Sequence, residues 1–111
     1  MSPRTSIVKL ETQIQPYAWG SHTAIAQLQG RPAPTSAPEA ELWIGDHPNG
    51  PSRVVETTGS TPLAEWCAKR GADALGPGRN QLPYLVKILA AGQPLSIQLH
   101  PNAQQAAEGY A

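Results

Sequence analysis

Side chains that could do chemistry together recur in the last third of the chain, at Lys87, Ser96, Gln98 and His100. Residues Leu95–His100 alternate strictly between apolar and polar types, which is the pattern of a half-buried strand. Successive side chains of a strand point to opposite faces. The pattern therefore predicts that a hydroxyl, an amide and an imidazole share one face.

Lys87 lies in an earlier apolar run, where both of its neighbours are branched aliphatic residues. Because lysine is almost never fully buried without a partner, Lys87 is expected to point into a polar cleft. If the two runs are adjacent strands, all four polar side chains face one place. The alternative is a sheet with one solvated face, with Lys87 as an edge charge that discourages aggregation. The pattern leaves both interpretations open.

Gln98 and His100 are also candidate metal ligands. A step of two residues along a strand separates their positions by about 6.5 to 7 Å, and converging side chains could hold one ion. Imidazole nitrogen suits Zn²⁺, and the amide oxygen of glutamine is an accepted although less usual ligand. A catalytic zinc typically has three protein ligands, and only Glu108 could reach back as a third.

A second acidic and imidazole group, at Glu41, Asp46 and His47, could suggest another metal cluster. However, Asp46–Pro51 consists of residues that favour turns, so a turn is predicted there. Glu41 and Trp43 lie two positions apart in a predicted strand and are expected to share a face. Glu41 is then either an exposed strand charge or a carboxylate that faces the cleft.

The elements that must position these residues are short, because 12 prolines and 10 glycines interrupt the 111 residues. This composition favours one β-rich domain with many loops. A helix is expected to open with Thr61 as cap and Pro62 at its first position, and to stop at Gly71. The other predicted elements are one or two strands in Ser6–Ile14, a helix over Ala24–Leu28, a loop over Gly30–Pro38, a strand ending at Ile44, a strand over Ser52–Thr57, a loop over Asp73–Gln81 and two strands within Leu82–Pro101.

Two aromatic positions and the cysteine have ordinary explanations. Trp19 before Gly20 is either a core residue near a turn or the wall of a pocket, since tryptophan combines a large apolar body with one polar group. Trp66 and Cys67 lie on the apolar stripe of the predicted helix and are expected in the core. No catalytic role is predicted for Cys67, because a nucleophilic thiol needs an activating base and an electropositive setting.

The charge balance excludes some classes of partner. Eight basic and eight acidic residues cancel, which argues against binding to nucleic acid or to a membrane surface. A single cysteine cannot form an internal disulfide, which favours a reducing compartment. No apolar stretch approaches the roughly 20 residues that span a bilayer, and the N-terminus lacks the apolar region of a secretory signal. A cytoplasmic protein is expected.

Four motifs occur in order, over Tyr17–Gly20, Ala40–Pro48, Leu82–Leu89 and Pro94–Pro101. Together they resemble the N-terminal region of the type I mannose-6-phosphate isomerases, or phosphomannose isomerases, which are zinc enzymes of the cupin superfamily. The resemblance runs from about Ile7 to the end of the chain. It implies a mainly β fold, a cupin-type jelly-roll portion with a few short helices. Residues 1–111 are expected to form the N-terminal part of one such domain, which would be incomplete.

The resemblance also implies an activity and a cofactor. The family interconverts mannose 6-phosphate and fructose 6-phosphate by proton transfer between C1 and C2 through an enediol, and zinc stabilises the negative charge. Gln98 and His100 match two of its zinc ligands. The family's glutamate ligand, second histidine ligand and catalytic arginine lie further downstream than Ala111. A polypeptide of these 111 residues alone is therefore expected to be weak or inactive.

The remaining site residues follow from the same resemblance. Lys87 and Ser96 match catalytic positions that line the substrate cleft, and Trp19 and Glu41 match substrate-binding positions. Lys87 would supply a positive charge, and Ser96 a hydroxyl donor, to substrate oxygens or phosphate. Two alternatives stay open: a non-catalytic cupin-like module that binds a sugar or a partner, and a related enzyme acting on another sugar phosphate.

Overall fold

The protein, seen here as a computed structural model that describes residues 7–94, is built on two antiparallel sheets. Within those residues each sheet has three strands, in the orders β1-β4-β5 and β2-β3-β6. The strands are β1 Leu10–Glu11, β2 Gln13–Gln15, β3 Glu41–Ile44, β4 Arg53–Glu56, β5 Gly59–Pro62 and β6 Val86–Leu89. The helices are α1 Ala24–Leu28, α2 Leu63–Arg70 and α3 Ala72–Leu75. The mainly β fold class is as predicted.

The β1-β4-β5 sheet packs against α2 around an apolar core. Leu63 and Cys67 are four residues apart, so they lie on the same face of the helix. They pack with Val54 of β4 and Leu75 of α3, and all four side chains are buried. Trp66 packs at the border of this cluster, partly buried. The prediction of a core residue is therefore confirmed for Cys67, whereas Trp66 lies at the border of the core.

In the β2-β3-β6 sheet, β3 is the central strand of those described. Its Leu42 packs against Ile25 of α1 and Ala90 in a second buried cluster, with Ile44 at its border. Glu41 and Trp43 alternate with these apolar residues and therefore face the other way. The helix predicted over Ala24–Leu28 forms with those bounds and provides the apolar cover for this face.

The proline-rich loop at 30–38 is as predicted, and an ion pair joins its two ends. The guanidinium of Arg31 donates to both carboxylate oxygens of Glu39, at 2.7 and 3.2 Å. This hydrogen bonding raises the pKa of Arg31 above its ordinary value, because the carboxylate favours the charged guanidinium. The ion pair therefore fixes the end of the loop next to Ala40, the residue that precedes β3.

Two predicted elements differ from the structure. Thr61 and Pro62 belong to β5 instead of capping the helix: they pair with Val54 and Arg53, and α2 begins at Leu63 without a side-chain cap. Pairing with β4 outweighs the local helix-start signal, because it completes a hairpin. The predicted loop at 73–81 contains the end of α3. Of the one or two strands expected in Ser6–Ile14, two short ones form, and each belongs to a different sheet.

Among the described residues, no helix combines the length and apolar character needed to cross a membrane.

Candidate active site

The register of the β2-β3-β6 sheet places polar residues from all three strands on one face. Trp43 lies opposite Gln13 on one side and opposite Lys87 on the other. Glu41, two residues before Trp43, lies opposite Gln15. Directly opposed residues in an antiparallel pair have their side chains on the same face, close enough to interact. The prediction that Glu41 and Trp43 share a face is thus confirmed, and Lys87 joins them.

Glu41, Trp43 and Lys87 form a contact group, called here the Glu41 cluster. The indole Nε1 of Trp43 donates a hydrogen bond to Glu41 Oε1 at 2.9 Å. Lys87 Nζ lies 3.8 Å from the same oxygen and 4.5 Å from the centroid of the Trp43 ring. Glu41 is only 6% exposed, so its carboxylate needs these two partners to offset the loss of water.

The position of Lys87 supports the interpretation as a site residue. At 3.8 Å from Glu41 Oε1 the ammonium is in the range of an ion pair but beyond a hydrogen bond. Its three N–H groups are therefore not taken up by the carboxylate, and 32% of the side chain is exposed. Lys87 is the member of the Glu41 cluster that a ligand can reach from solvent.

The turn predicted after β3 is confirmed and packs against Trp43. His47 meets the indole edge-on, with ring centroids 5.1 Å apart, and its Nδ1 accepts the backbone N–H of Asn49 at 3.0 Å. Gln15 Nε2 donates to the Asn49 carbonyl at 3.2 Å. A side chain on Gly50 would place its Cβ 2.8 Å from that nitrogen and 2.9 Å from Trp43 Cε3. The turn therefore needs glycine for its close approach to the ring.

Trp19 lies at a different point of the sheet. Its ring is half-buried and contacts Tyr17, with centroids 5.9 Å apart. Its carbonyl accepts the N–H of Gly92 at 2.8 Å, next to a bridge between Gly20 and Ala91. This contact joins the segment after β2 to the segment after β6. The ring of Trp19 is thus at the protein surface rather than in either buried cluster.

The metal-binding prediction concerns residues outside the described range. Ser96, Gln98, His100 and Glu108 all lie beyond residue 94. Within residues 7–94, no three histidine, cysteine, aspartate or glutamate side chains come together in a way that could hold a metal ion. Glu41 and His47 both contact Trp43, and the segment after β3 contains the predicted turn.

Cys67 has the properties of a structural residue. It is 5% exposed, and burial raises the pKa of its thiol, with a smaller contribution from the negative charge of Asp46. Both effects disfavour the thiolate, which is the reactive form. The burial of Cys67 agrees with its predicted place in the core.

An apolar cavity of about 270 Å³ lies on the opposite side of the β2-β3-β6 sheet from the Glu41 cluster. Ile44 of β3 and Val86 of β6 line it, and both alternate with the residues of the cluster. Leu63 and Trp66 of α2 form part of its other wall. A sugar needs hydrogen-bonding groups that such a lining does not offer, so the Glu41 cluster remains the better candidate site.

Comparison with solved structures defines the class of fold. A crystal structure of mannose 6-phosphate isomerase with zinc bound superimposes with a TM-score of 0.79 at 40% sequence identity, covering 96% of this chain and 28% of that one. A mutant phosphomannose isomerase from Salmonella typhimurium superimposes with a TM-score of 0.78 at 40% identity, with the same coverage. The two sheets are thus arranged as in phosphomannose isomerases.

Sequence comparison leads to the family. The model of the type I phosphomannose isomerase catalytic domain matches residues 7–111. The mannose-6-phosphate isomerase of Escherichia coli K12 is 43% identical over an alignment 116 residues long, which covers 93% of this chain and 28% of that protein. The chain therefore belongs to the type I phosphomannose isomerase family. It spans about 28% of the length of the curated relatives it matches first.

Proposed function

We propose that the protein interconverts mannose 6-phosphate and fructose 6-phosphate, as the names of its relatives suggest. The observation that carries the proposal is the Glu41 cluster: two of the motifs shared with the family meet on one sheet face and place a reachable ammonium beside a buried carboxylate. A purely structural sheet face would not need to bury a carboxylate at this cost.

The described residues would bind and orient the sugar phosphate. Lys87 lies too far from Glu41 Oε1 to donate a hydrogen bond to it, and it would offer its N–H groups and positive charge to a substrate oxygen or to the phosphate. Glu41 keeps that ammonium near the sheet, and Trp19 is proposed to contact the substrate from the surface next to β2. Ser96 would add a hydroxyl donor to the same cleft.

Gln98 and His100 are proposed to hold a zinc ion. The chemistry of the two donors fits, since imidazole nitrogen and amide oxygen are both accepted ligands of zinc. They are two of the three protein ligands that a catalytic zinc usually has, so a further donor must complete the set. When bound, the metal supplies a Lewis acid that polarises a substrate oxygen. In a longer protein of this family, residues beyond Ala111 would supply the remaining ligands.

The proposal is tested by following conversion of mannose 6-phosphate to fructose 6-phosphate before and after removal of metal with a chelator. Activity that disappears on chelation and returns with zinc supports both the reaction and the cofactor. Sugar binding that persists after chelation, and in Gln98→Ala and His100→Ala, would indicate a non-catalytic binding module. Preference for another sugar phosphate, measured across a panel, would change the substrate but retain the reaction class.

The same assay addresses the chain on its own. A polypeptide limited to these 111 residues is expected to show weak or no isomerase activity, because Gln98 and His100 make only part of a zinc site.

We further propose a cytoplasmic location and no nucleic-acid or membrane partner, on the grounds of the cancelling charges and the single buried cysteine.

A further inference from the structure

We propose that Trp43 is a positioning residue that determines where the ammonium of Lys87 lies relative to the carboxylate of Glu41. Its importance for catalysis depends on the function proposed above, whereas its effect on Lys87 does not. Trp43 uses two different parts of one side chain for this purpose. Lys87 Nζ lies over the ring face, 4.5 Å from the centroid, and the indole N–H donates a hydrogen bond to Glu41 Oε1 at 2.9 Å.

The indole is itself held in place. Trp43 is 7% exposed and lies on the central strand, directly opposite Lys87 in register. His47 contacts the ring edge-on at 5.1 Å, and the backbone of Gly50 lies so near that an added Cβ would be 2.9 Å from Trp43 Cε3. His47, Gly50 and the strand pairing thus restrict where the ring can lie. The ring in turn restricts the positions of Lys87 Nζ and the Glu41 carboxylate.

Lys87 needs such a support because its side chain is long and flexible. Without the ring face, the ammonium of Lys87 would either move closer to Glu41 and donate its N–H groups to the carboxylate, or turn outward into water. With the ring in place, it stays 3.8 Å from Glu41 Oε1, attracted by the charge but without donating a hydrogen bond to this carboxylate oxygen. Attraction of the cation by the aromatic face provides this intermediate position.

The chain offers a matched control for this inference. In α2, the guanidinium of Arg70 lies 4.3 Å from the centroid of the Trp66 ring, which is the same kind of contact at a similar distance. Trp66 packs at the border of the other core cluster and has no contact of this kind with Lys87. Trp66→Leu therefore removes a cation–aromatic contact of the same type without touching the Glu41 cluster.

The first test measures acylation of the Lys87 amine by mass spectrometry at limiting reagent, in the complete protein, and it needs no enzymatic activity. We expect Trp43→Leu to change the Lys87 rate several-fold relative to the other lysines. Trp43→Phe loses the hydrogen bond to Glu41 but keeps the aromatic face that Lys87 Nζ contacts, so it should restore a rate within about 2-fold of the wild type. Trp66→Leu should leave the rate unchanged. Equal Lys87 rates in all variants would overturn the inference, as would a Trp43→Phe rate equal to that of Trp43→Leu.

The second test uses the isomerase reaction. Misplacement of a catalytic group by about 1 Å can cost roughly 100-fold, so Trp43→Leu is expected to lower kcat/KM by 10- to 100-fold. In a Lys87→Met background the same substitution should have little further effect, because its target is gone. Fully additive losses would contradict positioning through Lys87.

A wild-type protein without isomerase activity would refute the proposed function, while the acylation rates would still decide the role of Trp43. If Trp43→Leu does not fold, a Trp43→Phe rate outside 2-fold of the wild type overturns the inference.

Discussion

The two sheets of this protein use the same kinds of residues for different purposes. Against the β1-β4-β5 sheet, Leu63 and Cys67 of α2 pack on Val54 of β4 in a buried cluster without a charged member. In the β2-β3-β6 sheet, Leu42 packs in a buried apolar cluster on one face, and a buried carboxylate, an indole and an ammonium lie on the other. One half has a purely apolar core, and the other buries a carboxylate beside a partly exposed ammonium.

The cation–aromatic contacts show the difference most clearly. Arg70 lies over Trp66 on a helix surface, where the pair has no carboxylate partner in the described contacts. Lys87 lies over Trp43 next to a carboxylate that the same indole binds. The first contact adds packing, and the second fixes a charge in space. Substitutions in the two regions should therefore separate stability from activity.

The largest effect is expected from Leu63→Ala in the apolar cluster. Leu63 is 7% exposed, and truncation of a buried leucine typically costs about 2 to 4 kcal/mol. Urea denaturation should show this loss, while kcat and KM of the folded fraction remain close to wild type. A large change in KM would mean that this half also shapes the site.

The next effect is expected from Lys87→Met, which should act mainly on activity. Loss of one charged donor at a reacting centre typically costs about 100-fold or more in rate. Because the buried carboxylate of Glu41 then lacks its cation, Lys87→Met should also lower the stability. The assay is kcat/KM together with the midpoint of denaturation. Lys69→Met is the control, because Lys69 forms an exposed ion pair with Glu65 at 3.2 Å on α2. Equal activity losses in both variants would remove the distinction between the regions.

A smaller effect is expected from Gly50→Ala in the turn that packs on Trp43. The added methyl group would meet Gln15 Nε2 at 2.8 Å and Trp43 Cε3 at 2.9 Å. Overpacking of this kind costs about 1 to 3 kcal/mol, and the displaced indole should also lower activity. Asn49→Ala on the same turn is the control, since the hydrogen bonds of Asn49 shown here come from its backbone. If the activity of Gly50→Ala falls only as much as its folded fraction does, the turn has no separate effect on the Glu41 cluster.

The smallest effect concerns Cys67 and pH. Because burial raises the pKa of this thiol in the folded state, the unfolded state ionises first as the pH rises. The resulting stability is complete below the pKa of the unfolded thiol and is lost as the pH rises through the folded pKa. Denaturation midpoints between neutral and alkaline pH should thus fall more steeply for the wild type than for Cys67→Ala. Parallel curves would show that the thiol does not contribute.

The sequence was informative where local pattern and tertiary structure agree. The period-2 alternation of β3 correctly predicted that Glu41 and Trp43 share a face, and the turn formers after Gly45 became a turn. It failed at Thr61 and Pro62, where a helix-start signal competes with strand pairing to β4. The indole bond to Glu41 and the contact of His47 with Trp43 depend on rotamers and on the close approach of Gly50, which periodicity does not encode. The predicted roles of Ser96, Gln98 and His100 remain predictions, since these residues lie outside the described range.

The alternation of β3 also restricts how the length of this chain can vary. Insertion or deletion of one residue between Glu41 and Trp43 would reverse the faces of the residues on one side of the change only. The carboxylate and the indole would then lie on opposite faces of β3, and one of them would be directed at Ile25 and Ala90. Both the apolar cluster and the Glu41 cluster would be disrupted in one step. Related chains can therefore gain or lose residues in the proline-rich loop at 30–38, but the four positions of β3 must be inherited as a block.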